Sequence, residues 1–399
     1  MSDQTLFVGI DVSKLKHDIA IVNDQKQLVA KPFVITDDRD GYQYLLHRLD
    51  ELTQQYPIQK FYIGLEATGD YWKNIYYFLK QQHKPFIVTL INPVQTRAHA
   101  KTELRRAKTD AVNAKDIALF MVEKQPSASL DRAPMLDIIK DLDRQIYQLK
   151  KQKTMTSNKL RIELTKVAPE IEKSLSNIQG KQLLALLAEF PTAELIANSS
   201  IQQLASLRYG DNNWTLSTPF IEKAKSLSQQ SIAYKTGLGA GYAVQSLVRC
   251  IGQFQREIEW LQSQSVALYQ TVTDKESLLA TIPGIARETA IVLEAYIGDV
   301  HRFPSVKKFV AYFGMNPTVC TSGKMKRSSY LQKKGNALVR HKLFMAVLGM
   351  IRREIDPIFN YYKRLIDSGK PKLLAIGAAM RKLLVVIYFM LSKNEPFKN

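Results

Sequence analysis

An α/β N-terminal domain over residues 1–130, a helical and coiled-coil middle over 131–272 and a mainly α C-terminal domain over 273–399 are what the sequence predicts, on three observations. Short β-rich runs open the chain and then alternate with helical patterns. From about Asp137, apolar residues fall into the 3-4 spacing of a helix seam. Near residue 283 a Pro-Gly break separates two helical patterns, and basic residues then gather around serines and glycines. A chain of 399 residues also suits two or three domains better than one core.

In the first part, residues 6–12, 17–22 and 28–34 read as strands, and 61–65 and 86–91 as two more between helix-like stretches. That order suits a mixed sheet flanked by helices, as in the RNase H-like architecture. A helix is expected to open at Thr109 as N-cap, run through Asp116, Ile117 and Leu119, and end before Gln125-Pro126-Ser127. The middle carries two seams. Ile139, Leu142, Ile146, Leu149, Leu160 and Val167 form the first, weakened by Lys153, Thr156 and Glu163 at its other positions. Val244, Leu247, Ile251, Phe254, Ile258, Leu261 and Leu268 form the second, with a polar Ser265. The two helices can pair within one chain or between chains. The stretch between them, including the glycine-rich residues 237–241, carries no chemical motif.

Charge narrows the partners. The balance is 56 Lys and Arg against 37 Asp and Glu, a formal net charge of +19, which suits a polyanion. A membrane partner is disfavoured, because the apolar run at residues 383–391 is nine residues long and follows Arg381 and Lys382. The N-terminus lacks signal-peptide character, so a cytoplasmic protein without a membrane span is expected. Cys250 and Cys320 are expected to be two reduced thiols.

Two strand ends carry carboxylates: Asp11 in Gly-Ile-Asp-Val-Ser-Lys at 9–14 and Glu66 in Gly-Leu-Glu-Ala-Thr-Gly at 64–69. Alone, either reads first as a loop cap. On neighbouring strands they meet at one rim, where like charges call for a cation such as Mg²⁺. Asp110 opens the next helix with Asn113 three residues on, hence on the same side. Such a set suits a two-metal site with ions about 3.5 to 4 Å apart, for phosphodiester cleavage. Gly-Ile-Asp also fits the first strand of sugar kinases and related ATPases, and the helix-borne Asp110 is what favours a nuclease. Lys14 beside the first acid, and Lys101, Arg105, Arg106 and Lys108 leading into the acidic helix, are candidate phosphate contacts.

In the last part, residues 278–299 read as two helical patterns broken at Pro283-Gly284, similar to a helix-hairpin-helix element whose Gly284 turn offers backbone N–H groups to phosphate. Ser322 follows, surrounded by Lys324, Lys326, Arg327, Lys333, Lys334 and Arg340 and by a flexible glycine. It reads either as a turn serine or as a nucleophile that forms a phosphoserine with DNA. Ser328 and Ser329 are rivals in the same segment.

These motifs, with Lys-Thr-Asp at 108–110, Ile-Pro-Gly-Ile at 282–285, Ser-Gly at 322–323 and Lys-Lys-Gly-Asn at 333–336, resemble the DEDD-type insertion-sequence transposases. These are relatives of the Piv and MooV invertases, described as bridge-RNA-guided recombinases. The resemblance spans most of the chain. It implies a RuvC-like N-terminal domain, a coiled-coil linker and a C-terminal transposase domain working with Mg²⁺. Asp11, Glu66 and Asp110 take three acidic positions, and Ser322 takes the nucleophile. It further implies donor and target DNA, a structured bridge RNA, and a dimer or tetramer whose sites join the acids of one protomer to the serine of another. The family's fourth acid falls at Asn113, a neutral ligand, and Asp116 lies about 60° round the helix from it. Two other readings stand beside this one. A structure-selective RuvC-like nuclease would need the acids but not Ser322, and an inactive nucleic-acid-binding derivative would be disabled at Asn113.

Overall fold

The computed structural model describes residues 4–67, 69–102, 110–129, 134–174, 177–316, 321–322, 325–326 and 335–398. The chain divides into two units, Met1–Asp131 and Arg132–Asn399.

The first unit contains β1 (Gln4–Val12), β2 (Lys16–Val22), β3 (Phe33–Thr36), α1 (Arg39–Gln55), β4 (Ile58–Glu66), α2 (Trp72–Lys80), β5 (Phe86–Ile91), α3 (Pro93–Thr102) and α4 (Asp110–Lys124). The strands form one sheet in the order β3-β2-β1-β4-β5. The first three are antiparallel, while β1, β4 and β5 run parallel. Because successive side chains alternate across a sheet, each strand divides its residues between two layers. Leu6, Val8 and Ile10 of β1, with Ile63 and Leu65 of β4, pack on α1 and α2. Phe7, Val22 and Ile91 face the other way, onto Ile117, Ala118 and Met121 of α4.

The expected third strand at 28–34 is displaced. Leu28 makes only an isolated bridge to Val22, and β3 begins at Phe33. Asn23 accepts the Gln27 N–H in a turn, and Pro32 has no N–H to donate to a ladder, so pairing starts after it. Helix α4 ends as expected before Gln125, whose φ is 37°. Thr109, the expected cap, lies outside the described residues.

The second unit begins with α5 (Pro134–Val167), α6 (Pro169–Ser174), α7 (Lys181–Glu189), α8 (Ala193–Asn198), α9 (Ile201–Ser206), a small hairpin of β6 (Arg208–Tyr209) and β7 (Trp214–Thr215), α10 (Thr218–Gln229) and α11 (Gly237–Val272). The two long helices pair antiparallel within the chain, with Ile146 and Leu149 against Ile258 and Leu261, and Lys153 donating to Gln255 at 2.7 Å. The first seam departs from the heptad reading: Ser157 and Leu164 are buried where Thr156 and Glu163 were expected. A straight α-helix drifts against a seven-residue repeat, and Leu160, Leu164 and Val167 meet α6–α10 as well as α11, so a different stripe turns inward.

The unit continues with α12 (Arg287–Ile297), α13 (Val306–Tyr312), the short hairpin of β8 (Thr321–Ser322) and β9 (Met325–Lys326), α14 (Ala337–Arg352), α15 (Ile358–Asp367) and α16 (Lys372–Lys393). Where the sequence suggests a separate C-terminal domain, Ile139 of α5 and Tyr269 of α11 belong to the same core as α12–α16. The apolar run read as nine residues is part of the 22-residue α16, which is long and apolar enough to cross a membrane by length and composition. Its Ala379, Leu383, Leu384 and Ile387 are nonetheless buried in that core.

Candidate active site

Asp11 and Glu66 come together because the C-terminal ends of two neighbouring parallel strands share an edge. Ile10 pairs with Leu65, so each acid is the next residue along its strand, and the alternation turns both toward the α4 layer. Two glycines allow α4 to lie close. A Cβ on Gly9 would stand 2.0 Å from the Ala114 carbonyl oxygen and 2.4 Å from the Ala118 nitrogen, and one on Gly64 would stand 2.7 Å from the Met121 side chain. With no side chain at Gly9, the helix backbone rests on the strand, and Asn113 donates from Nδ2 to Asp11 Oδ2 at 3.1 Å. Gly9→Ala is therefore expected to lower stability by about 1–3 kcal/mol, toward the upper end because the clash is with backbone. Urea unfolding measures this, and a midpoint equal to that of the unaltered protein would show that α4 can shift without loss.

Two side chains that sequence reasoning missed complete the rim. Thr96 on α3, itself buried, donates to Glu66 Oε2 at 2.9 Å and to the Pro93 carbonyl at 3.1 Å, fixing one carboxylate oxygen. Asp18 is the antiparallel partner of Asp11 and is buried on the same side of the sheet. A lone threonine carries no signal in a sequence, whereas Asp18 was findable from the β1–β2 pairing of two strand acids.

Helix α4 is clamped at its far end. Glu123 accepts from Lys26 at 2.6 Å and from His99 at 2.8 Å. These hydrogen bonds, that from Lys26 first, hold its carboxyl down to about 2. A depressed acid stabilises the fold above the ordinary carboxylate range and loses that contribution as pH falls toward the folded value. The clamp is thus expected to be intact at neutral pH and to release between about pH 4 and 2. Glu123→Gln should flatten that part of the acid-unfolding curve; an unchanged curve would remove the clamp from the account.

Asp110 opens α4, one turn before Asn113. At about 100° per residue, the inward arc of Ala114, Ile117, Ala118 and Met121 leaves Asn113 roughly 90° from its middle and Asp116 roughly 150° away, on the side opposite the sheet. Among the described residues no group of three or more His, Cys, Asp or Glu side chains is placed to hold a metal ion. The side chain of Asp110, which the expected set requires, lies outside that description. Lys14 is exposed in the β1–β2 turn, Lys101 lies on α3, and Arg105, Arg106 and Lys108 are outside the described residues.

Ser322 lies in the second unit on β8, pairing with Met325 as Thr321 pairs with Lys326. Of the basic residues around it, Lys326 lies on β9, while Lys324, Arg327, Lys333 and Lys334 fall outside the described residues, as do Ser328, Ser329 and Cys320. Cys250 on α11 is a free, half-buried thiol. Both ends of the basic segment are anchored. Arg381 donates to Asn316 Oδ1 at 2.8 Å, and Asn336 caps α14 by accepting the Leu338 N–H at 2.8 Å. At Gly335 a Cβ would meet the Phe313 carbonyl carbon at 2.3 Å, so glycine is required by close packing. Arg340 donates to the Phe313 carbonyl at 3.3 Å, and burial holds its guanidinium below the usual arginine range.

The expected helix-hairpin-helix is different in detail. The segment before Pro283 is a four-residue 3₁₀ turn, Leu278–Thr281, rather than an α-helix. Ile285 then donates its N–H to the Ile282 carbonyl at 3.1 Å, and Gly284 has φ 92°, which makes a type II turn with proline and glycine at its corners. Ile282 and Ile285 are buried, Gly284 is exposed, and no side chain caps α12 at Ala286.

Residues 8–169 match the family model of the IS110-type DEDD transposase, and residues 276–363 match that of the transposase IS116/IS110/IS902 family. The chain is 23% identical to the pilin gene-inverting protein of Moraxella bovis, over 98% of this chain and 97% of that protein. It is 24% identical to the insertion element IS110 uncharacterized 43.6 kDa protein of Streptomyces coelicolor, over 73% of each chain. Against the transposase for insertion sequence element IS1111A of Coxiella burnetii the identity is 26%, over 30% of this chain and 33% of that one.

Proposed function

Two regions of this chain, residues 8–169 and 276–363, belong to the IS110/IS116 transposase family, and from that premise we propose that it cuts and rejoins DNA at the ends of an insertion element, using a RuvC-like acidic site and a serine nucleophile. The observation that carries the reading is the seating of α4 on Gly9, which delivers Asn113 to Asp11 beside Glu66. The strand order, with acids at the ends of β1 and β4, supports the RuvC-like part.

Asp11, Glu66 and Asp110, with the amide oxygen of Asn113, are the groups that would hold divalent metal. These hard oxygen donors suit Mg²⁺, which when bound stabilises charge on the attacking and leaving oxygens. Of the two candidates for the fourth position, Asn113 is favoured over Asp116 because it already touches Asp11. The remaining work falls to the chain's own residues. Thr96 holds one Glu66 oxygen in place. Ser322 Oγ gives up its proton and attacks a DNA phosphorus; a new P–O bond to serine forms as the bond to the leaving deoxyribose oxygen breaks, and that oxygen takes a proton. One phosphoester replaces another, so the reverse attack by a different strand's hydroxyl rejoins DNA without an external energy source. A bridge RNA pairing with donor and target DNA, and a dimer or tetramer that brings one protomer's acids to another's serine, complete this proposal.

The test is a cleavage and joining assay on DNA carrying the element ends, with its RNA. Products with Mg²⁺ and none with EDTA are expected; metal-independent cleavage would overturn the acidic-site assignment. The charge of +19 adds a binding prediction. Each phosphate neutralised contributes about −0.9 to the log–log dependence of affinity on salt. Replacing Lys324, Lys326 and Arg327 together by alanine should lower the slope by roughly 3. An unchanged slope would place these cations away from the DNA.

A further inference from the structure

Two large apolar side chains stand in water on the rim that carries the acids, and the transposase reading does not use them. Leu15, 76% exposed, lies in the turn between β1 and β2 that follows Asp11. Tyr71, 45% exposed, lies in the loop between β4 and α2 that follows Glu66. A single exposed leucine or tyrosine needs no explanation, but one in each loop that follows an acid-bearing strand does. Strands β1 and β4 are parallel neighbours, about 4.8 Å apart, so both loops rise from the same rim. Both are fixed in shape. Ser13 donates its N–H to the Lys16 carbonyl at 3.2 Å, and Asp37 donates its N–H to the Leu15 carbonyl at 3.1 Å. In the other loop Gly69 has φ 58°, and the buried Trp72 donates from Nε1 to the Gly69 carbonyl at 3.0 Å. Trp72 takes the core position at the head of α2, and Tyr71 stays outside with its ring over Gly69, 3.7 Å from where a Cβ there would stand.

Charge says what meets them. Leu15 is flanked by Lys14 and Lys16, both exposed. The acids at the adjoining end of β3 are engaged within the fold. Asp37 is bonded to His17 at 3.2 Å and to the Tyr42 hydroxyl, and Asp38 accepts from Thr36 Oγ1 at 2.7 Å and from the Gly41 N–H at 2.8 Å. The two lysines are thus open to an outside anion. Cations beside apolar tips suit a ligand that combines anionic groups with flat apolar faces, which is a nucleic-acid strand. An intact duplex offers its phosphates and base edges, while stacking covers the flat faces of its bases. Leu15 and Tyr71 therefore gain apolar contact only at a base step that has been opened, the way apolar wedges act on DNA elsewhere.

We propose that Leu15 and Tyr71 hold open the base step at the cleaved phosphate, Leu15 as a wedge with Lys14 and Lys16 on the adjoining phosphates, and Tyr71 as a platform for the displaced base. This rests on the reading of the rim as a DNA-cutting site and adds that its substrate is a strand unstacked at that step. The experiment places 2-aminopurine, whose fluorescence rises on unstacking, at the cleaved step of element-end DNA bound with its RNA to the full-length protein in EDTA. Pairing with the RNA itself loosens the strand, so each variant is compared with the unaltered protein on the same complex. Leu15→Ala and Tyr71→Ala, both at exposed positions and checked for unaltered thermal unfolding, are expected to lose most of the fluorescence rise. With Mg²⁺, Tyr71→Ala should cleave about 5- to 150-fold more slowly, the worth of one stacked base. Tyr71→Phe keeps the ring and should restore the rate, and a mismatch at the cleaved step should rescue both alanine variants. A full fluorescence rise in both variants, with their cleavage of paired DNA unchanged, would overturn the wedge and platform and leave the acidic site standing. Slowed cleavage that neither the mismatch nor Tyr71→Phe relieves would also overturn them, as a structural effect. Failure of the unaltered protein to cleave would fall on the transposase reading, while the fluorescence comparison still decides the rim.

Discussion

Ser322→Ala is expected to abolish covalent capture of DNA and to reduce strand joining by on the order of 10⁴-fold or more, because removing a nucleophile leaves only binding and charge stabilisation to act. Incubating the protein with labelled element-end DNA, its RNA and Mg²⁺, then denaturing in SDS, should trap a protein–DNA adduct that the variant lacks. Ser322 pairs with Met325, and Asn316 and Asn336, on either side of this segment, are tied down by hydrogen bonds. Folding should therefore survive the loss of one hydroxyl. An adduct that maps to Ser328 or Ser329 would move the nucleophile within the segment and keep the chemistry. Cleavage without any adduct would mean that water attacks, and the chain would then be a plain metal-dependent nuclease.

The acidic rim was legible in the sequence because a strand has a fixed two-residue period: once β1 and β4 are parallel neighbours, Asp11 and Glu66 must share an edge. What held the rim together was not. Gly9 reads as a motif glycine until the helix backbone is seen 2.0 Å from where its Cβ would lie, and nothing near Thr96 in the chain announces its bond to Glu66. Those contacts join residues far apart in sequence, and no local pattern encodes them. The helix seams show the same limit. Heptad spacing located α5 and α11, but which stripe is buried near Ser157 and Leu164 depends on α6–α10 as well as on the repeat. The third strand failed for a local reason that was readable, since Pro32 cannot donate to a ladder. The role of Gly335 was not legible, because glycine serves both flexibility and close approach, and only the neighbouring Phe313 decides between them.

Asp11→Ala and Glu66→Ala should each lower cleavage by about 10³-fold or more, the kinetic equivalent of losing several kcal/mol of transition-state stabilisation at a metal site, while duplex binding stays within about twofold. Binding is expected to persist because it draws on the Lys and Arg surface rather than on the rim. Asn113→Asp provides the converse test, and its readout does not need turnover. The amide now donates to Asp11 at 3.1 Å. Replacing it by a carboxylate removes that hydrogen bond and sets two like charges side by side, so in EDTA the variant should be less stable by about 1–3 kcal/mol. Mg²⁺ should then restore more stability to Asn113→Asp than to the unaltered protein, and cleavage should saturate at a lower Mg²⁺ concentration, because the fourth position has gained charge. If Asp116 supplied that charge instead, Asp116→Asn would damage cleavage as severely as Asp110→Asn. The helix periodicity that turns Asp116 away from the sheet predicts a much milder effect. Equal loss in those two variants, with no metal-dependent stabilisation of Asn113→Asp, would transfer the fourth position from Asn113 to Asp116.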